Sequence, residues 1–144
     1  MGPLPDPACS SGAIFAEATV EQICTPGYSS SVRNVSVTLK KKIYAEYGLT
    51  YPQPTGSYEV DHIIPLELGG NNDRANLYPE AAEPTPGFHE KDIVEDYLHQ
   101  EVCAGRASLG AAQQQIAHDW VAVYNTLSPS DINNIKSKFH NWAD

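Results

Sequence analysis

Hydrophobic and polar positions along the chain sort into one strand pair and a series of helices. Residues 1–30 are rich in Pro, Ser, Gly and Ala and hold no sustained period, which predicts an irregular arm packed on the rest. From Val35 to Tyr47 the pattern begins by alternating and turns helical near Leu39, and Gly48 then acts as a helix stop. Two prolines and a glycine make 51–57 a loop. Ser57 to Ile63 alternates and carries β-favouring residues, predicting a short strand that Pro65 ends. The Gly69–Asp73 turn and Asn76–Tyr78 complete a hairpin. After a Pro-rich connector at 81–87, a helix from His89 to Cys103 sets Ile93, Val94, Tyr97, Leu98 and Val102 on one side. Ser108 is a suitable N-cap for the next helix, whose Leu109, Ala112, Ile116, Trp120 and Tyr124 recur at helical spacing. Ser128 and Pro129 open a last helix with Ile132, Ile135, Phe139 and Trp142 aligned.

Composition changes this picture little, but charge and cysteine content do. A chain of 144 residues, 41% hydrophobic and 19% charged, suits a single domain with its own core, and no apolar run is long enough to span a membrane. The net charge is −9, and residues 59–101 alone hold eleven acids against Arg74 and Lys91. Elsewhere acids and bases balance, so the excess sits in one segment, where a bound cation would offset part of it. A broad basic face for tight sequence-specific nucleic-acid binding is excluded. Cys9, Cys24 and Cys103 show no Cys-x-x-Cys spacing for zinc. One disulfide with a free thiol, either Cys24–Cys103 or Cys9–Cys24, would fit an exported protein, and three reduced thiols are the alternative.

The chemistry concentrates in residues 59–79, EVDHIIPLELGGNNDRANLYP. Asp61 and His62 end the first strand, Asn76 follows fourteen residues after His62, and His89 opens the helix thirteen residues later. In order and approximate spacing this resembles the HNH endonucleases of the ββα-metal class. The likeness extends over residues 24–124, through "YEVDHIIPLELGG", "NLYPE", "HEKDIVEDYLHQEVCAG" and "SLGAAQQQIAHDW", to small bacterial HNH-type proteins that are usually exported. It implies an α+β fold in which a ββα-metal finger, a short hairpin plus helix, is embedded in a mainly helical single domain. The layout is then an arm at 1–30, a nuclease domain at 31–127 with its finger core at 57–104, and a C-terminal helix at 128–144. The chain lacks the Cys-x-x-Cys pairs that often brace such a finger.

The resemblance also implies roles. Hydrolysis of a phosphodiester requires a deprotonated water, a stabilised phosphorane and a neutralised leaving group, tasks for an imidazole and a divalent cation. His62 matches the general base, Asn76 the asparagine that bridges the hairpin backbone, and Asp61 and His89 the ligands of one divalent ion (Mg, Mn, Zn or Ni). On a helical wheel Asp92 shares the His89 flank, as an extra ligand or a hydrogen-bond partner of the ligand imidazole. Arg33, Lys40, Lys41 and Lys42 form the one basic cluster, a candidate guide for phosphate. His99, His118 and His140 carry no ligand role, His99 being read as exposed or at the core edge, and Tyr78 reads as core. The expected function is metal-dependent, low-specificity hydrolysis of DNA and/or RNA by a secreted or periplasmic monomer with no membrane association. The alternative is a catalytically degenerate finger that binds a metal or a partner.

Overall fold

The computed structural model describes residues 4–139, so the expectations for His140 and Trp142 lie outside the described residues. Six helices and one antiparallel strand pair make an α+β fold. The strands are β1 (Tyr58–His62) and β2 (Leu77–Ala81), paired so that Tyr58 faces Ala81, Asp61 faces Tyr78 and His62 faces Leu77. The second strand runs three residues beyond the predicted Tyr78. Pro79 does not stop it, because each strand of a two-stranded sheet has a free edge where a missing N–H costs nothing.

Helix α1 (Val20–Ile23) and helix α2 (Tyr28–Val32) lie in the segment read as an irregular arm. The signal was present in Thr19 and Gln22, which form a reciprocal capping box at the start of α1. Upstream of α1 the chain docks on the hairpin loop through backbone bonds, Gly12 N–H to the Ala75 carbonyl and Phe15 N–H to the Gly69 carbonyl. Helix α3 (Val37–Glu46) is capped by the Ser36 hydroxyl.

Helix α4 (Phe88–Cys103) lies across the hairpin and against α5 (Leu109–Thr126), which is kinked at Asp119. Helix α6 (Pro129–Phe139) packs on α4. Ile63, Leu68, Tyr78, Val94, Ile116 and Trp120 are buried together where hairpin, α4 and α5 meet. A disulfide joins Cys24, just after α1, to Cys103 at the end of α4, selecting one of the two expected pairings and leaving Cys9 free. No helix among the described residues is long and apolar enough to cross a membrane.

Candidate active site

The strand end positions the first two site residues. Successive side chains on a strand point to opposite faces, so Asp61 and His62 diverge. Both nonetheless line one cavity of about 390 Å³, because it runs along the free edge of β1 and is walled by every residue from Tyr58 to His62. Arg33, Lys40, Tyr44 and Tyr51 line it from the α3 side, Glu67 from the hairpin loop, and Asp92 and Glu95 from α4.

His62 is buried, and its Nε2 lies 3.1 Å from Oδ1 of Asn72. That oxygen also accepts the Asn34 N–H, while Nδ2 of Asn72 donates to the Val32 carbonyl at 2.7 Å. The amide orientation is therefore fixed, and an oxygen can only accept, so the imidazole carries its proton on Nε2. Nδ1 is left as the basic nitrogen. Burial lowers the His62 pKa, and the neighbouring Arg33 and Lys91 lower it further, against the opposing effects of Asn72 and Asp61. The ring is thus neutral at pH 7 and able to take a proton.

Asn76 is fully buried and its amide is saturated. Nδ2 donates to the carbonyls of Ile64 (2.9 Å) and Asn71 (2.8 Å), and Oδ1 accepts from the N–H groups of Ile64 (3.0 Å) and Ala13 (3.2 Å). It ties the segment just after His62 to the hairpin loop and to the arm, and does not line the cavity. Gly70 permits this close approach: a Cβ there would lie 1.7 Å from the Ile64 carbonyl oxygen.

The expected metal ligands are not brought together. Asp61 is 8% exposed and its Oδ2 is 3.0 Å from the ammonium of Lys91, a residue with no exposed surface. Lys91 also binds Glu95 at 2.6 Å and donates to the His62 carbonyl at 2.7 Å. His89 is exposed, stacks near Phe88 with ring centroids 4.3 Å apart, and does not line the cavity. Helix geometry explains it: at about 100° per residue, His89 sits about 160° from Lys91, whose side of α4 faces the hairpin. Asp92, one residue beyond Lys91, does reach the cavity. Asp61 is committed to Lys91 and His89 stands outside the cavity, so the two ligands implied by the resemblance do not fit a shared divalent ion, and among the described residues the cavity carboxylates form no group of three ligand atoms within 4.8 Å of one another. The one such group, Cys24, His99 and Cys103, has both thiols committed to the disulfide. His99, read as exposed or at the core edge, is buried, with Nε2 2.9 Å from the Ile23 carbonyl.

Of the basic cluster, Arg33 and Lys40 line the cavity, whereas Lys41 and Lys42 are exposed beyond it. His118 is exposed on α5 and Tyr78 lies in the core. The acids crowd. Burial, then the charges of Glu95, Asp61 and Glu59, push the Asp92 carboxyl up to about 10, so it keeps its proton at neutral pH. Glu67 is raised well above the carboxylate range by burial and by the charge of Asp96. Asn72, Lys91, Glu95 and Glu67 were missed from sequence. Lys91 and Glu95 were signalled by their i,i+4 spacing and by Lys91 being one of only two bases among eleven acids in residues 59–101.

A neutral imidazole and a protonated carboxyl in one cavity, with Arg33 and Lys40 on its wall, are the components of general base, general acid and anion binding. Comparison with protein-family models, curated proteins and solved structures finds no match to this chain.

Proposed function

We propose that this chain is a phosphodiester hydrolase acting on DNA and/or RNA with low sequence specificity. In this reading β1, β2 and α4 are the finger of an HNH-type nuclease. His62 Nδ1 takes the proton of the attacking water, Arg33 and Lys40 hold the phosphate, and the Asp92 carboxyl returns a proton to the leaving oxygen. Asn76 and Asn72 position the base and touch no substrate. The observation that carries the reading is the His62 imidazole, fixed as its Nε2–H tautomer by Asn72 in a cavity with Arg33 on its wall. Its expected ion ligands, Asp61 and His89, do not fit, so no step is assigned to a metal. The Cys24–Cys103 disulfide is compatible with an oxidising compartment, and the proposal places the protein outside the cytoplasm as a monomer.

The test is cleavage of supercoiled plasmid and of single-stranded RNA by purified protein. It is run after chelation and then with Mg, Mn, Zn or Ni added singly, with His62→Ala alongside. Scission by the wild type and its loss in His62→Ala are expected. No scission under any condition by folded protein rejects the proposal.

The acid-lined cavity favours a second reading, a degenerate finger that binds a partner without catalysis. Folded protein that neither cleaves nor binds a duplex at low salt would select it.

A further inference from the structure

A buried lysine is unusual, because an ammonium in a protein interior must find acceptors for all its protons. Lys91 faces three acceptor oxygens from two places in the chain, two of them as hydrogen bonds and one as an ion pair. The His62 carbonyl at 2.7 Å comes from the end of β1, Asp61 at 3.0 Å from one residue earlier, and Glu95 at 2.6 Å from the next turn of α4. These are two carboxylates and one backbone carbonyl, an oxygen set of the kind a hard divalent ion recruits. They surround a single positive charge supplied by the chain itself. Burial alone would lower the pKa of Lys91, but Asp61 and Glu95 outweigh it and raise it.

We propose that the Lys91 ammonium is a built-in substitute for the divalent ion, occupying the cation position between β1 and α4 so that the site is complete without metal. The inference bears on the catalytic site proposed above and takes from that reading only the idea that a cation belongs there. Three features meet in it. Asp61, the expected ion ligand from the hairpin, is paired with the Lys91 ammonium. His89, the expected ligand from the helix, is turned away, and the helix contributes Glu95 and Lys91 in its place. Lys91 also holds the His62 main chain, so the internal cation positions the base as a bound ion's ligand cage would. It does not line the cavity, and is a positioning residue.

The experiment measures metal binding, and its outcome does not depend on any activity. Chelated wild type, Lys91→Met and the double variant Lys91→Met/Asp61→Asn are titrated with Mn(II), followed by calorimetry and thermal unfolding. In parallel, amide spectra of the wild type with equimolar Mn(II) record paramagnetic broadening at residues 61, 62, 91 and 95. Wild type is expected to show no Mn-dependent rise in melting temperature and no broadening focused on those residues. Lys91→Met, with its two carboxylates uncovered, is expected to bind Mn(II) at least about tenfold more tightly than wild type and to regain melting temperature on binding it. The double variant is expected to lose both gains. Broadening centred on residues 61, 62, 91 and 95 in the wild type overturns the inference, and that comparison needs no variant to fold. A folded Lys91→Met that gains no Mn(II) affinity overturns it as well. Should the wild type cleave no nucleic acid, the functional proposal fails while these titrations still decide the role of Lys91.

Discussion

Replacing Asn76 with alanine tests whether the loop behind His62 is held by one side chain. The change removes four hydrogen bonds, two of them to Ile64 in the dry interior and two to Asn71 and Ala13 nearer solvent. A buried backbone group left without a partner costs about 1–3 kcal/mol, whereas a group that water can reach recovers most of its loss. Counting the two Ile64 groups in full and the others lightly gives about 4 kcal/mol. That is a large share of the roughly 5–15 kcal/mol that stabilises a domain. With a urea slope of about 2 kcal/mol/M, the unfolding midpoint should fall by about 2 M. Equilibrium urea unfolding followed by tryptophan fluorescence and by circular dichroism makes the measurement. Asn76→Asp is the companion variant: it keeps an acceptor, loses both donors, and places negative charge against two carbonyls, so it should be no better than alanine. A shift below about 0.5 M for alanine, or an aspartate variant as stable as wild type, would refute the reasoning.

Three further outcomes follow from the same geometry. Gly70→Ala should destabilise by several kcal/mol, on the order of 3 or more, because its Cβ would fall 1.7 Å from the Ile64 carbonyl oxygen; an unchanged melting temperature would show that the loop can move aside. Serine at both Cys24 and Cys103 removes a link across 79 positions and should cost about 4–5 kcal/mol in the chain-entropy view, checked by urea unfolding against the oxidised wild type. Stability should also depend on pH from both sides. Burial raises Glu80 to about 8, partly offset by a hydrogen bond with Tyr78, so its contribution is fully present below the ordinary value of 4.5 and is lost as pH rises from there through about 8. Burial lowers His62 and His99, so their contributions are present above the ordinary histidine value of 6.5 and lost as pH falls below it. Melting temperatures should therefore decline between about pH 6.5, above which the histidines no longer oppose it, and about pH 8, and Glu80→Gln should flatten that decline; an identical slope in the variant would contradict the assignment.

Much of this arrangement was legible in the sequence because it is local. Alternation marked β1, the Gly-Gly-Asn-Asn turn marked the hairpin, and Ser108 caps its helix through the bond that a serine at that position can make. An asparagine able to donate and accept at once was the natural bridge for the loop, and Asn76 uses both ends of its amide. What stayed hidden depends on contacts between distant segments. The arm docks through its own backbone, which leaves no side-chain signature until the hairpin loop is in place. Lys91 reads as a solvated helix charge unless Asp61 is known to lie beneath it. His89 shows the reverse case, since the resemblance groups it with His62 while the turn of the helix leaves it exposed and outside the cavity. Asn72 went unnoticed because a turn asparagine has ample local uses, and its bonds to His62, Asn34 and Val32 all reach outside the turn.

The pH dependence of the cleavage rate tests the role of His62 most directly. If Nδ1 of a buried, neutral imidazole accepts the proton of water, the wild-type rate should rise to a plateau through an inflection below 6.5. His62→Gln should remove that inflection and slow the plateau by about 100-fold or more. A His62→Gln profile that superimposes on the wild type, or a wild-type inflection well above the ordinary histidine value, would contradict it.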